Sequence, residues 1–339
     1  MGKEEQKLRD DYDSQCHIYK AFGDWVTEKI CAELVKRLGS EEVVNKFLKI
    51  PPVVRVKNTD SFIEKALIRK KEKYKNPLLH ITDKVGIRFV VLLLEDIELI
   101  GKIIRNIVEL ECKLCRDFER EKYENPDHFT YQSIHYVVNP KEGISSQGVT
   151  IDNTVTCEIQ IRTILQHAYA EISHISDYKP DISMIGADKR RIRRELAKGS
   201  ALIEITDETF KEVQNMLKKE FEPIDVLLQK SAEIYKKATG EEAENNTNLS
   251  KIIATAYIDL LKDVKCDDLS NYWLKDNKAL GSIIKGKRDE SVFYKDSVII
   301  PLAWLISQNR TSIPKSWPEN SNYLEDFYIA MGYSTSGLF

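Results

Sequence analysis

Thr156-Cys157-Glu158-Ile159-Gln160-Ile161-Arg162 is the stretch on which the fold turns. A strand sends successive side chains to opposite faces, so Cys157, Ile159 and Ile161 point one way and Glu158, Gln160 and Arg162 the other. The apolar face is of the kind that helices bury. The opposite face either meets water or lines a polar cleft, and this strand alone fits both readings.

Working outward, Tyr131-Gln132-Ser133-Ile134-His135 repeats the pattern, with Tyr131, Ser133 and His135 on one face. Tyr131 to Val138 and Thr154 to Thr163 read as two strands, parted by a Gly- and Ser-bearing turn from Lys141 to Gly148. Val53, Val54 and Val56 around Arg55 form a shorter strand, on which Arg55 and Lys57 share a face. Ile87 to Leu94 is a strongly apolar strand interrupted by Arg88, and Leu114 to Tyr123 is a weaker, polar strand candidate. Helical spacing runs from about Asp11 to Leu48 through Ile18, Phe22, Val26, Ile30 and Leu34, until Pro51-Pro52 stops it. Ser61 to Lys71 and Ile97 to Leu110 are helical too, and from Ile164 the pattern stays largely helical.

Helices around one central sheet predict an α+β fold with a helical C-terminal domain. The expected organisation is an N-terminal helical segment at 1–48, an α+β domain at 49–185, a long helical connector at 186–245 and a helical domain at 246–339. The tail combines Pro, Ser and Asn with Trp304, Trp317 and Tyr323, while Tyr257, Trp273 and Phe293 are expected in a core.

The chain has 339 residues, 42% of them hydrophobic, which is enough for packed cores. Its 51 basic and 54 acidic residues leave a net charge of −3, which argues against a general nucleic-acid coat or a membrane-surface protein. No stretch approaches the roughly 18 apolar residues of a membrane span. Met1-Gly2-Lys3-Glu4-Glu5 lacks the apolar centre of a signal peptide, and the six cysteines make no disulfide scaffold, so the expected location is cytoplasmic. Cys112 and Cys115 form a lone CxxC with no second pair to complete a zinc site.

Several residues suit phosphate chemistry. Asp83, just ahead of the apolar strand, and Glu158 are two separated carboxylates that could share Mg²⁺ with phosphate oxygens and water. Nearby Lys and Arg could neutralise charge during transfer, and the Tyr131 ring offers a base a stacking face. Arg88 is costly in its strand unless paired or bound to a ligand. Surface ion pairs on an ordinary sheet would draw on the same residues.

Order and spacing separate these readings. The sequence resembles the RelA/SpoT-type alarmone synthetase domain, in its compact single-activity form, over about residues 45–185. Five motifs carry the resemblance: Arg55-x-Lys57-x3-Ser61-x3-Lys65 followed by Arg69-Lys70; Asp83-Lys84-Val85-Gly86-Ile87-Arg88; Tyr131-Gln132-Ser133-Ile134-His135; Glu158-Ile159-Gln160-Ile161-Arg162-Thr163; and Gln166-His167-Ala168-Tyr169-Ala170-Glu171 continuing through His174 to Tyr178-Lys179.

The resemblance implies a nucleotidyltransferase-like mixed β-sheet flanked by helices. It also implies transfer of the β,γ-pyrophosphate of ATP to the 3′-hydroxyl of GDP or GTP, giving (p)ppGpp. On that analogy Arg55 and Arg88 sandwich the adenine, while Lys57, Ser61 and Lys65 complete the ATP site. Asp83 is the principal Mg²⁺ ligand, with Glu158 near the metal and the attacking hydroxyl. Tyr131, His135, Gln160, Arg162 and His167 form the acceptor side.

Two positions depart from the family pattern, Thr130 in place of Gly before the tyrosine and His167 in place of an Asn that reads guanine. With the basic run Lys189, Arg190, Arg191, Arg193 and Arg194, they leave an adenine nucleotide or the 3′ end of tRNA open as acceptor. A catalytically silent binding module and a homo-oligomer are further readings.

Overall fold

The computed structural model describes residues 2–69, 74–127, 129, 133–178, 189–244, 248–318 and 322–339, without the side chains of 69, 174–178, 189 and 276. It falls into two compact units, Met1–Val213 and Gln214–Phe339.

In the first unit, α1 (Lys3–Leu38) buries Tyr12, Tyr19, Phe22, Val26, Ile30 and Leu34, a run at helical spacing that the periodicity of the sequence anticipates. Gly39, at φ 98°, ends it in a backbone region that favours glycine. The Ser40 hydroxyl then accepts the amide of Val43 to open α2 (Glu41–Phe47). Strand β1 (Val54–Val56) leads into α3 (Thr59–Ile63), which continues as a wider turn through Arg69. After α4 (Pro77–His80) come β2 (Val85–Val91), α5 (Leu94–Asn106), β3 (Leu110–Arg116) and α6 (Phe118–Glu124). Next are β4 (Ile134–Pro140), β5 (Ile144–Ser146), β6 (Val149–Ile151), β7 (Cys157–Thr163), α7 (Ile164–Tyr178) and α8 (Lys189–Thr239), which runs on into the second unit.

The five-stranded sheet has the order β1-β2-β7-β4-β3, with β2 and β7 parallel and the other neighbours antiparallel. This is the mixed sheet flanked by helices that the sequence predicts. Val85, Ile87, Phe89, Tyr136, Val138, Cys157, Ile159 and Ile161 form one almost fully buried face, with α1 and α5 in the same core.

Two expectations are corrected. Leu114 to Tyr123 is not one strand: β3 occupies Leu110–Arg116, and Asp117 caps α6 by accepting the amide of Glu119. The capping side chain ends the extended run, an effect that hydropathy alone does not register. The Lys141 to Gly148 segment also holds more than a turn, because β5 and β6 form a hairpin around Gln147 and Gly148, both at positive φ.

At the end of the sheet, the buried Thr163 hydroxyl donates to Asp207 Oδ2 of α8 at 2.8 Å. Burial pushes the Asp207 carboxyl up to about 6, with the Thr163 bond and Lys122 opposing. A folded value above the ordinary 3.8 means that the contribution is complete at low pH and is lost as pH rises through about 6.

The second unit is helical. The second half of α8 buries Ile224, Leu227, Ile234 and Tyr235 against α9 (Asn248–Ala256), α10 (Ile258–Leu261), α11 (Cys266–Asn271), α12 (Lys278–Lys287), α13 (Ile299–Gln308) and α14 (Asn322–Ala330). Tyr257, Trp273 and Phe293 lie in this core, as the sequence predicts. Trp273 Nε1 donates to the Ile300 carbonyl at 2.9 Å, which satisfies the only polar atom of its side chain. α12 approaches the end of α8 so closely that a Cβ on Gly281 would lie 2.4 Å from the Ala238 carbonyl oxygen.

Two stability predictions follow from this packing. Gly281→Ala should cost about 1–3 kcal/mol in urea unfolding. Gly286→Ala, on the same helix with nothing within 4 Å of the new carbon, should instead stabilise by roughly 0.5–1 kcal/mol. Asp207→Asn, which cannot titrate, should gain on the parent between about pH 4 and pH 6, by up to about 3 kcal/mol. Parallel melts across that range that stay level would contradict the buried-carboxyl account.

Candidate active site

The sheet face opposite the core carries the polar residues, and strand register sets their order. Arg55, Gly86, Glu158 and Val137 are successive partners across β1, β2, β7 and β4. Arg88, Gln160, His135 and Arg116 form the next row. Gly86 adds no side chain between Arg55 and Glu158, and a Cβ there would meet only the Glu158 carbonyl, at 3.6 Å. The sheet surface is therefore open at that point, beside a carboxylate.

Asp83 stands at the entry to β2. Its Oδ2 accepts Lys57 Nζ at 3.0 Å and Lys65 Nζ at 2.8 Å, while Oδ1 is buried with no hydrogen-bond partner among the described residues. Burial works to raise the Asp83 carboxyl, but Lys57 and Lys65 outweigh it and hold it below its ordinary value. Lys57 is itself anchored: Tyr12 of α1 donates to its carbonyl at 2.7 Å, and its amide donates to the Lys84 carbonyl at 2.8 Å.

Glu158 is held by a polar chain. His135 Nδ1 donates to Glu158 Oε1 at 2.7 Å, and Ser133, fully buried, lies 2.5 Å from His135 Nε2. With the imidazole proton on Nδ1, the Ser133 hydroxyl donates to Nε2 and the ring points at the carboxylate. Gln160 Nε2 adds a bond to the same oxygen at 3.3 Å. Burial and the charge of Asp83 push Glu158 up, yet the His135 and Gln160 bonds leave it below its ordinary value. Both carboxylates are therefore ionised at neutral pH.

The remaining cations crowd the next row. Arg162 is buried and donates to Gln160 Oε1; burial, then Arg88, pulls it down to about 9. Arg88 Nη1 pairs with Glu171 Oε1 of α7 at 2.8 Å, which is how this arginine is tolerated in an apolar strand. Burial, then Arg162, lowers the pKa of His167, so it is a neutral imidazole at pH 7; its Nδ1 is buried without a described partner.

The structure thus joins Lys57, Lys65 and Asp83 in one cluster, and His135, Glu158, Gln160 and Arg162 in another. Asp83 is close enough to Glu158 for its charge to push the Glu158 carboxyl up. Arg55 and Ser61 are exposed, and the Ser61 hydroxyl makes no described bond to the Asp83 cluster. Tyr131 and Thr130 lie outside the described residues.

Three residues make contacts that the motifs give no role. Glu171 sits one helical turn past His167 and neutralises Arg88. Arg116 stands opposite His135 on the edge strand and is gripped by Glu121, with Arg116 Nε to Oε1 and Nη2 to Oε2 both at 2.9 Å. Its signal lay in the antiparallel pairing of β3 with β4. Lys84 has no analogue in hydropathy: it is 1% exposed, and burial pulls it down to about 8.

Two carboxylates and lysines without a third acidic or thiol ligand suit Mg²⁺ better than zinc, because magnesium takes a few protein oxygens and completes its shell with water and phosphate. The buried, unpartnered Asp83 Oδ1 is an oxygen of the right kind. No group of three or more His, Cys, Asp or Glu suited to a metal occurs among the described residues.

Comparison with known proteins agrees with the motifs. Residues 54–183 match the family described as a region found in RelA / SpoT proteins. The GTP pyrophosphokinase YjbM of Bacillus subtilis (strain 168) is 29% identical over 161 residues, covering 47% of this chain and 71% of that protein. Among solved structures, small alarmone synthetase 1 from Bacillus subtilis superposes with a TM-score of 0.47 at 20% identity, covering 62% of this chain and 99% of that one. Small alarmone synthetase 2 from the same organism gives 0.46 at 21% identity, covering 61% and 99%.

If the two ammonium groups hold Asp83 ionised against burial, Lys65→Met should raise the Asp83 pKa and cost about 1–3 kcal/mol at pH 7. Carboxyl ¹³C NMR across a pH series reads the first and urea melts the second; an unmoved Asp83 resonance would rule out the electrostatic account.

Proposed function

We infer, from the match of residues 54–183 to the region found in RelA / SpoT proteins, that this chain is a pyrophosphokinase that moves the β,γ-pyrophosphate of ATP to the 3′-hydroxyl of GDP or GTP, making (p)ppGpp. The observation that carries the reading is the proximity of two clusters, one at the entry to β2 and one on the polar face of the sheet. One is a carboxylate held ionised by two lysines, the other a carboxylate aimed by a histidine.

In this reaction the acceptor's 3′-oxygen attacks the β-phosphorus of ATP, the bond from that phosphorus to the α,β-bridging oxygen breaks, and AMP leaves with the electron pair. Glu158, ionised and fixed by His135, is placed to accept the hydroxyl proton or to orient and polarise that hydroxyl. Lys57 and Lys65 face the phosphates as compact positive charges that stabilise the charge of transfer. Asp83, with Glu158 nearby, would hold Mg²⁺, which when bound neutralises phosphate oxygens and lines them up. Arg55 and Arg88 offer planar guanidinium faces to the adenine, and Ser61 flanks the donor side. Tyr131 serves as a stacking face for the acceptor base, with His135, Gln160, Arg162 and His167 completing the acceptor side. Those roles follow the motif match and fit the charges described above.

The reading requires ATP, guanine nucleotides and Mg²⁺ in one compartment, which is the cytoplasm; no helix among the described residues is long and apolar enough to cross a membrane.

Purified protein given ATP, Mg²⁺ and GDP or GTP should release AMP, and Asp83→Asn or Glu158→Gln should lower the rate roughly 10²–10³-fold, the scale on which single electrostatic and acid–base groups act. γ-Labelled ATP tested in parallel with guanine nucleotides, adenine nucleotides and tRNA identifies the acceptor. Absence of AMP with every guanine nucleotide would sink this assignment, and label on tRNA or an adenine nucleotide would replace it.

A further inference from the structure

Four carbonyls of the segment from Leu78 to Lys84, on both sides of Asp83, accept hydrogen bonds. Lys84 Nζ donates to the carbonyl of Leu78 at 2.8 Å and to that of Ile81 at 2.7 Å. Thr156 Oγ1 donates to the Thr82 carbonyl at 3.1 Å, and the Lys57 amide donates to the Lys84 carbonyl at 2.8 Å. Leu78 lies in α4 and Ile81 directly follows it, and the last carbonyls of so short a helix have no partner within it. The ammonium that fills this role is 1% exposed and lies 5.6 Å from the centre of the Tyr19 ring of α1, on the core side of the turn. Asp83, the preceding residue, directs its carboxylate to Lys57 and Lys65 instead.

A buried lysine is a costly way to fill core volume, which a leucine or methionine would fill without desolvating a charge. What only a long donor-bearing side chain supplies at this position is two bonds from one atom to carbonyls three residues apart. Those two bonds close the segment from Leu78 to Lys84 on itself. Asp83 lies inside that closure, so the geometry of its carboxylate depends on it. Loss of about 1 Å in the placement of a reacting group costs roughly a hundredfold in rate, so a device that fixes the turn is in proportion to the demand.

We propose that Lys84 is a positioning residue: its buried ammonium, bonded to the carbonyls of Leu78 and Ile81, locks the turn before β2 and thereby sets the Asp83 carboxylate in the donor and Mg²⁺ site. The assignment of Asp83 to that site rests on the pyrophosphokinase reading; the mechanical coupling of Lys84 to Asp83 does not.

Lys84→Met keeps the stem and removes both bonds. In the full chain it should raise the Mg²⁺ concentration for half-maximal AMP release roughly tenfold and lower kcat by roughly tenfold to a hundredfold, while KM for the guanine acceptor stays within about twofold. Ile30→Val, a core change on α1 outside the site, should leave the Mg²⁺ requirement at the parent value, which separates positioning from loss of stability. Independently of turnover, the Asp83 carboxyl ¹³C resonance should shift in Lys84→Met and stay in place in Ile30→Val. Should Lys84→Met fail to fold, Lys84→Gln, which can keep one of the two bonds, should give the same changes at smaller size. A folded Lys84→Met or Lys84→Gln with the parent's Asp83 resonance overturns the proposal, as does parental Mg²⁺ dependence in an active protein. A parent chain that releases no AMP refutes the functional reading alone, and the carboxyl resonance still decides the role of Lys84.

Discussion

The constraint on which the rest depends is the register of β2 against β7. Gly86 faces Glu158 and Arg88 faces Gln160, so each strand's polar set lands on one side and each apolar set on the other. A strand has a period of two, so a slip of one residue would turn Glu158, Gln160 and Arg162 into the core and expose Ile159 and Ile161. Burial of Ile87, Phe89, Ile159 and Ile161 against α1 and α5 forbids that slip. The packing that stabilises the unit is thus also what aligns the polar face.

On the polar face, magnitudes explain why the charges persist. Asp83 and Glu158 are both partly buried, and burial is the largest influence on each, acting to neutralise them. Each is kept ionised by a different device. Asp83 has two ammonium groups on one oxygen; Glu158 has a histidine and an amide on one oxygen. In both cases the second oxygen is left off the described bonds, which is where a third charge could be met. Both devices are held from behind as well, Lys57 by Tyr12 and its pairing with β2, and His135 by Ser133. Support of this kind turns a set of compatible residues into a site with defined geometry.

Much of this was legible in the sequence because alternation and helical spacing are local. β7 and β4 were readable from their two-residue period and β2 as an apolar run, the face shared by Glu158, Gln160 and Arg162 followed at once, and Arg88 announced a partner or a ligand. The partner itself, Glu171, was not legible as such: it lies 83 residues away, and only the parallel pairing that precedes α7 brings it over β2. Asp117 ended β3 through a single side-chain bond, a signal weaker than the hydropathy it overrode. Lys84 could be read as one more surface charge, since nothing local says that its stem turns under the sheet toward Tyr19. Asp207 was hidden for the same reason, as its partner Thr163 is 44 residues earlier.

The cations around the two carboxylates also differ in how firmly they are held, and that difference bears on how the proposed nucleotide could bind. The Arg88–Glu171 pair is 39% and 54% exposed at its side chains, which places it among ion pairs that contribute about 0–1 kcal/mol. A ligand with a planar base and its own negative charge could displace Glu171 from Arg88 at little cost. Lys57, Lys65 and Asp83 are each only 22–24% exposed and share one oxygen, so parting them would strand a half-buried charge. On the proposed reading the donor side is therefore a fixed floor around Asp83, with a wall at Arg88 that can exchange its partner. Binding on such a surface need not reorganise the groups nearest the chemistry, because the rearrangement falls on the pair that is cheapest to break.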